Sequence, residues 1–182
     1  MARRVLASEL AGFDPRLAER LANLGLNELT NPLRLLQDFA EERGWREEDT
    51  ANPTWHSGMV DRLGTNDRVH LAAQVLVSDS AQRHIDARLW QGQVALLFPL
   101  IEQKRRQILS TYRRLLWVPF DKGDGTSITV VEDLEITHLH YQLRNRVSPG
   151  VETQLRRLRD ARNSLSHLDV VNAEDLSGLL IS

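Results

Sequence analysis

An all-α chain is what this sequence predicts: a helical bundle of four to five helices carrying an N-terminal helical appendage. Three observations predict it. Small polar residues followed by proline recur at Asp14-Pro15, Asn31-Pro32 and Ser148-Pro149, the pairing of an N-cap with a first helical position. One segment, residues 80–117, returns apolar side chains to one helical face along most of its length. Strand-like composition is confined to Ile128–Val131.

The elements follow in order. Asp14 and Pro15 open a short helix running to about Asn23, with Gly25 as its terminator. Asn31-Pro32 repeats the device, and Leu33, Leu36 and Phe39 give that helix an apolar face before Gly44 stops it. Residues 45–66 turn irregular, punctuated by Asn52-Pro53, Gly58 and Gly64, with Trp55 as the expected anchor of the loop. The expected organisation is therefore an N-terminal helical appendage and linker, 1–66, followed by a bundle, 67–182. Residues 1–66 hold 8 basic and 11 acidic side chains, a poor platform for nucleic acid.

In the segment from Ser80 to Trp117, residues Val94, Leu97, Phe98, Ile101, Ile108, Tyr112 and Leu115 keep to one face. Pro99 removes a backbone donor in its middle, so a kink or a break into two helices is expected there. Asp121 to Ser127 reads as a loop. Asp121 and Glu132 have calcium-loop spacing, but glycines stand at 123 and 125 where ligands belong, which excludes that site. A further helix is expected over about 131–144. Ser148 and Pro149 then start the next, and Asn172 caps a short final one.

Composition removes several classes of function. The 182 residues contain no cysteine, which rules out disulfides, thiolate metal sites and cysteine nucleophiles. The net charge of −2 leaves no overall nucleic-acid footprint. The longest apolar run, Val94 to Ile101, falls well below the roughly 20 residues of a spanning helix. The start MARRVLASELAGFD lacks an apolar h-region, so a cytoplasmic location is expected. There is no phosphate-binding glycine loop, no GxSxG and no zinc-type histidine spacing, and no metal or other cofactor is expected.

Chemistry concentrates in one hexapeptide, Arg162-Asn163-Ser164-Leu165-Ser166-His167. Val151, Leu155, Leu158, Leu165 and Leu168 trace the buried stripe of its helix, and Arg162 falls within that stripe. His167 lies about 140° away around the wheel, beside Asn163. An arginine on a packing stripe needs a counter-charge, a second subunit or an anionic ligand. One straight helix cannot aim both side chains at one point, so a shared site requires the helix to loosen or two chains to meet. The alternative is purely structural: Arg162 pairs with Asp160, Glu135 or Asp169, and His167 favours the helix C-terminus.

With its Arg-x4-His spacing, a polar residue after the arginine and a short helix beyond, LRRLRDARNSLSHLDVV resembles the signature helix of HEPN domains (higher eukaryotes and prokaryotes nucleotide-binding). The resemblance covers roughly residues 80–182. It implies an HEPN-like bundle that homodimerises through this helix. It also implies a metal-independent endoribonuclease with Arg162, His167 and Asn163 as catalytic residues. His167 suits proton transfer at neutral pH, and Arg162 can fork two donors onto a phosphate developing charge. RNA would be the substrate, and a regulatory or antitoxin protein the partner, as in toxin–antitoxin and antiviral systems. Glu102 stands where such domains sometimes carry an auxiliary acid, and Glu135 is a second auxiliary candidate.

Two basic runs, one with Arg105 and Arg106 and one with Arg159, supply candidate contacts to an RNA backbone; solvated helix faces are the competing explanation. The competing function is a non-catalytic HEPN-like module that dimerises or binds a partner or nucleotide within a larger regulatory protein.

Overall fold

In the computed structural model the described residues are 2–54, 56–63 and 66–181. Four helices come first: α1 (Ala2–Ala11), α2 (Pro15–Ala22), α3 (Leu26–Leu29) and α4 (Leu33–Glu42). A 3-10 turn at Glu47–Ala51 leads to an antiparallel pair, β1 (Val60–Leu63) and β2 (Asn66–Val69), and to α5 (Leu71–Gln74). The long α6 (Ser78–Tyr112) follows, then a small ribbon of β3 (Phe120–Asp121) and β4 (Ser127–Ile128). The chain ends with α7 (Ile136–Leu143), α8 (Pro149–Ser166) and α9 (Ala173–Ile181). With helices dominant and only two small sheets among the described residues, the fold is all-α.

The caps show why these elements begin where they do. Asp14 Oδ1 accepts the N–H groups of Arg16 and Leu17 at 2.8 and 3.1 Å, and Pro15 takes the first helical position. Asn172 Oδ1 accepts the Asp175 N–H at 2.8 Å and so opens α9. Gly44, at φ +71, closes α4.

Elsewhere local signals misled. Gly25 opens α3 rather than merely ending α2, and Pro32 itself stands at the N-cap of α4. Nothing in the sequence marks the β1–β2 pair, because four-residue strands as polar as VDRL and NDRV have no alternation to detect; their register sets Asp61 opposite Arg68. Trp55 lies outside the described residues. The helix expected over 131–144 begins only at Ile136, since Val131–Asp133 forms a 3-10 turn and Leu134 is extended.

Pro99 neither breaks α6 nor divides it. Pro99 and Ala95, whose carbonyl loses its donor, are both exposed, so water can take the missing bond. α6 therefore serves as the spine of two hydrophobic clusters. Ile85 and Leu89 join Leu10, Leu17, Leu21, Leu36 and Phe39 in the first. Leu97, Ile101 and Ile108 join Leu139, Leu155, Leu158, Leu165 and Leu176 in the second.

Residue 66 falls within the sequence span of the first cluster, which also contains Leu71, Ala72 and Ala73. Leu6 of α1 belongs to the second cluster. At the crossing of α1 over α6 stands Gly92, where a Cβ would meet Leu6 Cδ2 at 3.0 Å; a bare backbone allows the close approach. Among the described residues no helix is long and apolar enough to cross a membrane.

Candidate functional site at the end of the motif helix

α8 starts at Ser148-Pro149 and buries Leu155, Leu158, Ala161 and Leu165 against the second cluster. Arg162 borders this stripe, with its side chain 36% exposed, and its Nη2 donates to Glu135 Oε2. Glu135 is the N-cap of α7, and its backbone N–H donates to His138 Nδ1 at 3.0 Å. Of the three acids expected as partners for Arg162, the structure selects Glu135, which α7 brings across from 27 residues away.

Arg162 and Glu135 lie on a cleft of about 430 Å3 floored by Phe98, Ile101 and Ile136. Glu102 and Arg105 line its α6 side. Arg105 donates to both Glu102 oxygens, at 2.7 and 2.8 Å, and to the carbonyls of Glu132 and Leu134 at 2.7 and 3.0 Å. Arg106 Nε adds a bond to Glu102 at 2.9 Å. The hydrogen bonds of Arg105, then those of Arg106, hold the Glu102 carboxyl down at about 2 against its partial desolvation. Glu102 is thus an anion at neutral pH and can position a cation but not deliver a proton. The cleft is acidic: Glu102, Glu132, Asp133 and Glu135 face Arg105 and Arg162.

The other end of the motif is built differently. His167 is the C-cap of α8, and its N–H reaches the carbonyls of Asn163 at 3.1 Å and Ser164 at 3.0 Å. Leu168 follows at φ +64, the left-handed conformation, and Asp169 N–H returns to Ser164 O at 2.9 Å. This is a Schellman closure with leucine where glycine is usual. It corrects the expected stripe: Leu168 is 69% exposed, because the helix ends two residues before it and the chain reverses. Asn163 and His167 are exposed, and among the described residues their side chains make no hydrogen bond or ion pair. His167 does not line the Arg162 cleft.

The proposed RNA contacts separate. Arg105 is engaged on every side by Glu102 and loop carbonyls, which gives it the role of a clamp between α6 and the segment before α7. Arg159 is engaged too: its Nε and Nη2 reach Asp160 Oδ1 at 2.9 and 2.6 Å, and its Nη1 reaches His140 Nδ1 at 3.1 Å. Because arginine only donates, His140 Nδ1 is the acceptor; burial and then the Arg159 charge lower the imidazole below its ordinary pKa. Arg106 stays largely exposed, tethered through Nε alone.

Two supports behind the motif come from α6 and have little signature in the sequence. Trp90 Nε1 donates to Leu165 O at 2.8 Å, satisfying a carbonyl of the last turn of α8. Gln93, fully buried, exchanges two bonds with the Val171 backbone. The one available signal was a glutamine at helical spacing from Leu89 and Leu97. No family model, curated protein or solved structure matches this chain significantly.

Proposed function

We propose that the chain is a metal-independent endoribonuclease of the HEPN kind that acts as a homodimer, with Arg162, Asn163 and His167 from two copies forming the site. The observation that carries this reading is the end of α8. An imidazole and an amide with no partner among the described residues stand in solvent beside Leu168, a large apolar side chain held outward at φ +64. A second copy packed there would bury Leu168 and leave the polar groups facing a shared crevice. In the reaction His167 takes the proton of an RNA 2′-hydroxyl, or returns one to the leaving 5′-oxygen. Arg162 stabilises the charge developing on the phosphate. The products are a 2′,3′-cyclic phosphate and a 5′-hydroxyl. Arg162 must leave Glu135 to do so, an exchange of one partly exposed anion for another. The reading extends to a cytoplasmic effector of the toxin–antitoxin or antiviral kind, held in check by a partner protein.

The excess of acids over arginines around Arg162 favours a second reading, a non-catalytic module in which the Arg162–Glu135 pair is structural. Incubation with single-stranded and structured RNA in EDTA separates the two. Nuclease action predicts cleavage in EDTA that falls about 10²–10⁴-fold in Arg162→Ala and in His167→Ala. Intact RNA after incubation with a wild-type dimer refutes it and leaves the module.

A further inference from the structure

α8 carries a second cleft, on the side turned away from Arg162. About 290 Å3 in volume, it lies between α8 and the start of α9, with Arg156, Arg157, Asp160, Ser164 and Asp175 in its lining. Its charges are unequally partnered. Asp160 accepts two bonds from Arg159, and Asp175 accepts the Asn172 amide at 2.7 Å. The guanidinium groups of Arg156 and Arg157 make no hydrogen bond or ion pair among the described residues, and neither does the Ser164 hydroxyl. Arg157 lies over Gly178, where a Cβ would come within 2.8 Å of its Nη1. The missing side chain on α9 makes room for the guanidinium. Two arginines without counter-ions thus share the cleft with Asp160, whose charge Arg159 answers, and with Asp175, whose oxygen is occupied by the neutral Asn172 amide; the free guanidinium donors suit an oxyanion.

The position matters as much as the chemistry. Around a helix of about 100° per residue, His167 falls about 60° from Ser164 and about 20° from Arg156, whereas Arg162 falls about 160° from Ser164. The cleft and His167 share one face of α8, with about 4.5 Å of axial rise between Ser164 and His167.

We propose that this cleft is a phosphate subsite, in which Arg156, Arg157 and Ser164 hold either a backbone phosphate of single-stranded RNA on its way to His167 or the phosphate of a free nucleotide. The RNA source rests on the nuclease reading above; the phosphate chemistry does not. It moves the backbone contact from Arg105 and Arg159, whose donors are engaged, to a pair whose donors are free among the described residues.

The test is binding in the His167→Ala background, with a fluorescein-labelled oligouridylate followed by anisotropy and AMP followed by calorimetry. Arg156→Gln/Arg157→Gln keeps much of the side-chain bulk over α9, and Arg16→Gln/Arg34→Gln removes equal charge from α2 and α4. Both are first matched to the parent by thermal melting. The expected result is at least a tenfold loss of oligouridylate affinity in the first double variant and less than twofold in the second. The salt dependence of log K should become shallower by about 1.4, for two single-strand phosphate contacts at about 0.7 each. Loss of AMP binding alone in the first variant also upholds the site and identifies a free nucleotide as its ligand. Equal weakening in both double variants, unchanged binding in the first, or no binding of either probe by the parent overturns it. RNA binding that depends on Arg156 and Arg157 in a wild-type protein that never cuts RNA upholds the cleft and refutes the nuclease. Cleavage by the wild type with unchanged binding in the variant does the reverse.

Discussion

Gln93 offers the sharpest test of what holds the motif helix in place. Its side chain is 0% exposed, its Nε2 donates to Val171 O at 2.7 Å, and its Oε1 accepts Val171 N–H at 2.7 Å. One amide thus does for Val171 what a neighbouring strand would do, and it ties α6 to the segment between α8 and α9. Gln93→Leu keeps the approximate volume and removes both polar atoms. Val171, 4% exposed, is left with two buried backbone groups and no partner. Each such group costs about 1–3 kcal/mol, or about 2–6 together. The added apolar burial of leucine returns about 1–2 kcal/mol. The expected net loss is about 2.5 kcal/mol, a fall in Tm of about 5–10 °C for a chain of this size. Urea unfolding followed by circular dichroism measures it, with Gln107→Leu, at an exposed position on the same helix, as reference. A loss below about 1 kcal/mol, or one equal to that of the reference, would refute the clasp.

Three further outcomes are expected. Burial lowers the His70 pKa to about 4; the Asp14 charge opposes the shift and Arg43 adds to it. The unfolded chain, with a histidine near 6.5, therefore binds more protons between about pH 4 and 6.5, so the stability from neutral His70 is full above that window and declines as pH falls through it. The loss is up to about 3 kcal/mol, and the slope should flatten in His70→Phe when unfolding is measured across this range. In the monomer, at protein concentrations too low for pairing, Leu168→Gly should raise stability by about 0.5–1 kcal/mol. It relieves about 1–2 kcal/mol of left-handed strain against up to about 1 kcal/mol of added unfolded-state entropy, whereas Leu168→Ala, which keeps the strain, should show no gain in thermal melting. Arg105→Ala should lower stability by about 1.5–3 kcal/mol, because it strips the Glu102 carboxylate and two loop carbonyls of a shared donor; an unchanged melt with weakened RNA binding would return Arg105 to the substrate path.

The caps were the most legible part of the fold. Asp14-Pro15, Ser148-Pro149 and Asn172 mark helix starts because an N-cap and its proline act within one turn, independently of distant packing. The lower legibility of 131–144 has the same cause in reverse. Its helix begins where Glu135 can engage His138 and Arg162, and the second of those partners lies on another helix. The β1–β2 pair depends on cross-strand register, which a polar four-residue segment does not advertise.

For the candidate site the division is sharper. The sequence by itself determined an all-α chain without cysteine chemistry and a histidine turned away from the motif arginine; it placed that arginine within the packing stripe, whose border it occupies in the fold. These follow from residue type and helical period, which are properties of the local chain. Only the tertiary structure decided which arginines are free. It engaged Arg105 with Glu102, Arg159 with Asp160 and His140, and Arg162 with Glu135, while Arg156, Arg157 and His167 have no side-chain partner among the described residues. Whether a guanidinium can meet a phosphate depends on which carboxylates and carbonyls the fold brings within hydrogen-bond reach, and those come from segments tens of residues away.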